Sequence, residues 1–239
     1  MKMRMLLLIT LLGLAPLSAW SMSEQKEITI GREMHREILA KIPVYANPAL
    51  AAYVARVGNR LARASDRPGL EYTFTVLDSP DINAFATPGG FVYINRGLIL
   101  YLQSEAELAA VLAHEIAHIT ERHASRQDVM SKTSSVASLA LGVLAAIGTG
   151  SGTVGSLAQD AAATAGTAMV RGYGREMELE ADREGARFMH RSGYDPMAMV
   201  EVLGALKEQE SFARVRARAD GHEAAVYHGV FSTHPRNDQ

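Results

Sequence analysis

The stretch Ser104-Glu105-Ala106-Glu107-Leu108-Ala109-Ala110-Val111-Leu112-Ala113-His114-Glu115-Ile116-Ala117-His118-Ile119 decides how the rest of the chain is read. Ser104 and Glu107 have the spacing of a capping box, and Leu108, Val111, Leu112, Ile116 and Ile119 follow at helical intervals. The spacing predicts one helix with His114-Glu115-Ile116-Ala117-His118 in its middle. That pentapeptide matches H-E-x-x-H, in which two imidazoles hold zinc and a carboxylate activates water. A helix turns about 100° per residue, so His118 falls about 40° around from His114 and one turn along the same face. Glu115 falls about 100° away, where it can flank a water on the metal without binding the ion itself. The plain alternative is a chance match, with His114 and His118 as ordinary buried histidines.

Zinc in a hydrolase needs three protein ligands and one open position. His123 is one downstream candidate, but it sits one residue early for the longer metzincin pattern, and no Gly precedes it. On a continued helix it points about 180° from His114, which makes it a surface or supporting histidine. The segment from Gly174 to Gly185 is the better candidate. Glu178 and Asp182 lie one turn apart, so Glu178 can bind the metal while Asp182 accepts the free N–H of a liganding histidine. The plain reading is a solvated acidic face, the role expected here of Glu176, Glu180 and Glu184.

With these residues the chain resembles the gluzincin metallopeptidases of family forty-eight, which include CAAX prenyl proteases and bacterial periplasmic quality-control proteases. The resemblance covers Glu24 to Leu39, Asp81 to Gly90 with its Asn83-Ala84-Phe85 core, and Asn95-Arg96-Gly97-Leu98. It continues through His114 to His118, Glu178 to Asp182 and Ser232-Thr233-His234-Pro235, in the family's order. It implies zinc on His114, His118 and Glu178, Glu115 as general base, and Asp182 behind a ligand. It further implies that Asn83 and His234 line the cleft and help hold an oxyanion, or that His234 approaches the metal and plugs the site. A turn Asn and a loop His are the plain readings. Two departures stand out. Gly174 replaces the family's usual Ser, and the sequence ends at Gln239 where relatives continue into a further helix or helical repeats, so a partner-binding extension is expected to be missing or removed.

A chain of 239 residues, 48% hydrophobic, can bury one sizeable core. Its net charge of -2 gives no reason to expect nucleic acid, and with no cysteine it has neither disulfides nor a lipoprotein anchor. Lys2 and Arg4 precede the apolar run Met5 to Leu17, and Ala19-Trp20-Ser21 carries small residues at signal-peptidase spacing. Residues 1–21 therefore read as a cleaved signal peptide, and 22–239 as one exported, periplasmic metallopeptidase domain. An uncleaved anchor is the competing reading, but the run is short of the roughly 20 residues a span requires.

Helices are expected from Glu24 to Ile42 and from Asn47 to Ala64, the second capped by Asn47 with Pro48 at its first position. Tyr72 to Leu77, Ile82 to Ala86 and Phe91 to Asn95 read as strands, with Thr87-Pro88-Gly89-Gly90 as the turn. The fold class is thus α+β, a mainly helical zincin-like domain with a small sheet of three to four strands beside the zinc helix. In gluzincins an edge strand in this position binds substrate as an added strand, and Phe91, Val92, Tyr93, Ile94 and Asn95 are the expected counterpart; a core hairpin is the plain reading. Residues 131–174, rich in Ala, Gly, Ser and Thr, suit a lid, a membrane-touching hairpin or two ordinary helices. Asp195-Pro196 starts a last helix through Gln209, with Arg214 to Arg218 as a solvated face.

The expected activity is hydrolysis of peptide bonds in misfolded or unassembled exported proteins, with one Zn2+ per chain. Peripheral contact with the membrane or the outer-membrane assembly machinery is an expected partnership. The alternative is a chaperone-like platform for unfolded envelope proteins, with weak or gated proteolysis. A membrane-bound prenyl-protein protease is disfavoured, because the long hydrophobic spans it needs are absent from the sequence.

Overall fold

A computed structural model describes residues 22–126 and 173–219. The expected signal peptide, the stretch 131–172 and His234 lie outside the described residues. Helix α1 (Glu24–Lys41) starts at Ser23, whose side chain accepts the Lys26 N–H, and places Glu24 and Glu27 in its first turn, where the helix dipole favours acids. Helix α2 (Pro48–Ala64) is capped by Asn47, whose Oδ1 accepts the Leu50 N–H at 3.1 Å. Both match the sequence reading to within a residue.

Strands β1 (Thr73–Leu77), β2 (Ala84–Thr87) and β3 (Phe91–Asn95) form one sheet in the order β1-β3-β2. β3 runs antiparallel to β2 and parallel to β1, with Phe85 opposite Tyr93 and Thr75 beside it. The β2–β3 turn needs Gly89 and Gly90, whose φ values of 79° and 101° suit a residue without a Cβ. The expectation that β3 is an outer strand is overturned. Phe91 to Ile94 are paired on both sides, and Asn95 is paired with β1 while its N–H is given to the Asn83 carbonyl at 2.9 Å, so no added strand can reach their backbone. Among the described residues it is β2 whose outer edge carries no strand partner.

Alternation along β3 divides its side chains between two cores. Val92 and Ile94 face α2 and the motif helix, whereas Tyr93 joins Phe85, Leu77, Met34 and Ile38 under α1. Helix α1 can lie close over the sheet because Gly31 meets the Pro88 carbonyl where any Cβ would collide at 1.9 Å. A short helix α3 (Arg96–Ile99) leads from β3 to helix α4 (Glu105–Thr120), which carries the motif.

Ser104 Oγ accepts the Glu107 N–H at 3.1 Å, while the Glu107 carboxylate accepts from Gln103 N–H at 2.6 Å, one residue earlier than a capping box reaches. Leu112 and Ile116 are fully buried on α4, a burial worth about 1.5–3 kcal/mol for each. After the four-residue α5 (His123–Arg126), the next described helix is α6 (Arg175–Arg191), which packs along α4. The last, α7 (Ala198–Ala219), begins after a turn at Asp195 and runs ten residues beyond the expected end at Gln209. No described helix is long and apolar enough to cross a membrane.

Candidate metal centre

Helix α4 brings His114 and His118 together as the spacing requires: their Nε2 atoms lie 3.0 Å apart. Helix α6 adds Glu178, whose Oε2 is 3.5 Å from His114 Nε2 and whose Oε1 is 3.8 Å from His118 Nε2. These three are a candidate metal-binding group, since one ligand atom from each lies within 4.8 Å of the others. Two donors about 2.05 Å from a tetrahedral ion stand about 3.3 Å apart, so the observed spacings fit an ion of zinc's size and ligand preference. His118 and Glu178 are both buried, and a carboxylate buried among imidazoles is the donor chemistry a divalent cation compensates.

The outer nitrogens are also engaged. His114 Nδ1 lies 2.9 Å from Asp182 Oδ1, so the carboxylate one turn beyond Glu178 accepts the N–H that leaves Nε2 for a metal. Both acids reach α4 because the facing surface of α6 is built from small residues. Ala181 is fully buried, and a Cβ on Gly185 would meet the backbone nitrogen of His114 at 3.1 Å. Glu115 is buried on the same helix.

Two placements differ from the sequence reading, and a third narrows it. His123, read as a surface or a supporting histidine, is fully buried in the supporting position, because the helix does not continue past Glu121. Arg122 adopts φ 57°, a left-handed conformation that costs a non-glycine residue about 1–2 kcal/mol, and this turn swings His123 back towards His118. The turn is held by the buried carboxylate of Glu27, which accepts from Arg122 Nε at 2.8 Å and from Ser125 Oγ. Burial pushes the His123 imidazole below the usual histidine range, against the opposing pull of Glu180. Glu180 and Glu184 leave the solvated face assigned to them: Glu180 pairs with His123 and Arg126, and Glu184 is buried against Arg183 and Arg187. Glu176 alone of the three is exposed as expected.

Tyr173 is a neighbour that the sequence did not single out. Its ring stacks on His118 with centroids 4.1 Å apart, and burial, reinforced by the charges of Glu115 and Glu178, raises its hydroxyl well above the ordinary tyrosine range. No motif marks it, and only its position one residue before Gly174 could have drawn notice. A small pocket between Tyr173, His118, Ala86 and Thr87 brings the end of β2 up to the centre. Asn83, just before β2, is fully buried, and neither atom of its amide group has a hydrogen-bond partner among the described residues.

Fold and site together define a metallopeptidase class, in which a helical H-E-x-x-H supplies two histidines and a later helix supplies a glutamate. Residues 48–239 match Peptidase family M48, and the chain belongs to that family. It is 34% identical over 198 residues to the beta-barrel assembly-enhancing protease of Yersinia pestis, covering 80% of this chain and 40% of that protein. The protein of the same name in Escherichia coli (strain K12) is 32% identical over 195 residues, covering 78% and 40%. The mitochondrial metalloendopeptidase OMA1 of Schizosaccharomyces pombe is 29% identical over 178 residues, covering 72% and 49%. The chain thus spans about two fifths of the length of the bacterial relatives.

Proposed function

We propose that this chain is a zinc-dependent endopeptidase that hydrolyses misfolded or unassembled polypeptides in the bacterial envelope, reached through the signal peptide read in residues 1–21. The observation that carries the reading is the convergence of His114 Nε2, His118 Nε2 and the Glu178 carboxylate, with Asp182 fixed behind His114. Relatives named for beta-barrel assembly support the envelope setting and contact with outer-membrane assembly components.

His114, His118 and Glu178 would hold the zinc, which when bound acidifies water and polarises a carbonyl. Glu115 takes the proton from the attacking water and returns it to the leaving amine, a role its position beside the two histidines allows. Asp182 keeps the His114 ring in the tautomer that presents Nε2. The oxyanion role of Asn83 rests on the Asn83-Ala84-Phe85 segment, and its fully buried amide has no hydrogen-bond partner among the described residues. The gating role of His234 rests on the Thr233-His234-Pro235 segment alone. Substrate strand addition belongs on the outer edge of β2, because β3 is enclosed.

The test is Glu115→Gln on the purified chain. Zinc content by atomic absorption should equal wild type, while digestion of unfolded casein falls about 100- to 10,000-fold. Wild-type cleavage rates in that variant overturn the reading. Suppression of aggregation that survives in it would favour the chaperone-like platform as a second activity.

A further inference from the structure

Asp182 accounts for the outer nitrogen of His114, but that of His118 faces another imidazole. His118 Nδ1 lies 2.8 Å from His123 Nδ1, with the two rings meeting edge to face at 71°. His123 Nε2 in turn lies 3.1 Å from Glu180 Oε2, and the same oxygen accepts from Arg126 Nη1 at 2.6 Å. The tautomers follow by elimination. An imidazole that gives Nε2 to a metal carries its proton on Nδ1 and donates from there. His123 must then accept at Nδ1, so its own proton sits on Nε2 and is donated to the Glu180 carboxylate.

We propose that His123 and Glu180 form a relay that fixes the ring orientation and tautomer of His118, making His123 a positioning residue for the metal centre. The proposal rests on the reading of His114, His118 and Glu178 as metal ligands. It gives each liganding histidine a carboxylate from α6, contacted directly in one case and through a second imidazole in the other. It also gives the left-handed turn at Arg122 a purpose, since a helix continuing through residue 123 would carry that ring to the opposite side. The inserted ring bridges α4 to Glu180, which lies near the surface beside the exposed Arg126.

The experiment measures the zinc dissociation constant of the full chain by competition with a chromogenic chelator, alongside the melting temperature of the metal-free chain. His123→Leu should weaken zinc binding about 10- to 100-fold, the range for losing a partner behind a metal ligand. The metal-free melting temperature should hold or rise, because Leu fills the buried place without a polar group to satisfy. His123→Asn, whose Oδ1 falls where Nδ1 lies and can accept from His118, should recover part of the affinity. Glu180→Leu, at a partly exposed position, should weaken binding by itself and add little to His123→Leu, since the two act as one unit. If His123→Leu does not fold, the Glu180→Leu result decides. Unchanged zinc affinity overturns the relay and leaves the metallopeptidase reading intact, as does a loss that tracks metal-free stability and that Asn does not restore. A wild-type chain that binds no zinc overturns both.

Discussion

Helices α4 and α6 together build the candidate metal centre, α4 with His114 and His118 and α6 with Glu178, yet they are built on opposite principles. α4 is capped by Ser104, buries Leu108, Leu112 and Ile116, and carries His114, Glu115 and His118 within five residues. α6 begins at Gly174 with no side-chain cap, exposes Leu179, and sets Glu178 and Asp182 directly against the two histidines of the motif, with Glu180 reaching it through His123. Burial of its own apolar face holds α4 in place, whereas α6 is placed by its close fit along that helix at Gly185, beside the fully buried Ala181. One helix therefore anchors the fold, and the other closes the cage.

Glu178→Gln tests that division most sharply. Removing the one candidate ligand that α6 contributes among the described residues should lower zinc affinity by more than about 100-fold, beyond the loss expected for an outer partner. The metal-free melting temperature should not fall, because a neutral amide is easier to bury than a carboxylate. Chelator competition and calorimetry on the same sample read both, and unchanged affinity would mean that α6 closes nothing.

Gly185→Val attacks the seam itself. The added Cβ would stand 3.1 Å from the His114 nitrogen and 3.2 Å from the Ala113 carbonyl carbon, and the two methyl groups would go further into α4. Overpacking of this kind costs about 1–3 kcal/mol, read as a lower denaturant midpoint, and zinc affinity should fall with it as Glu178 and Asp182 are displaced. A stable variant with normal affinity would show that the close approach is incidental.

The same contrast explains what the sequence disclosed. α4 is legible because cap, apolar period and ligands are all local, and local spacing converts directly into helical geometry. Glu178 and Asp182 are legible as a pair one turn apart, but their distance from the motif in sequence leaves the meeting with His114 to tertiary packing. His123 was legible only as one of two alternatives, surface or supporting, because a continuous helix would point it away from His114. The break depends on Arg122, a residue with no left-handed preference, held by Glu27 from the far end of the described chain. The strand order was hidden for a similar reason: a period of two says which face is buried, not which edge is paired, so β3 looked like the outer strand when β2 is.

The smallest effects lie at the two helix starts, and their inequality is itself informative. Ser104→Ala removes the acceptor of the Glu107 N–H and should cost about 1 kcal/mol, visible as a lower melting temperature. Gly174→Ser is the converse. Gly174 already has extended angles, φ −64° and ψ 154°, and a Cβ there meets nothing within 4 Å, so a serine hydroxyl can accept from the Met177 N–H without strain. Glycine is itself a tolerable cap, so the gain should be only a few tenths of a kcal/mol. It should be confined to the first turn of α6, read as slower hydrogen exchange at Met177 and Glu178 with an unchanged global midpoint. A global gain as large as the Ser104→Ala loss would mean that α6 anchors the fold as firmly as α4, and the contrast between the two helices would fail.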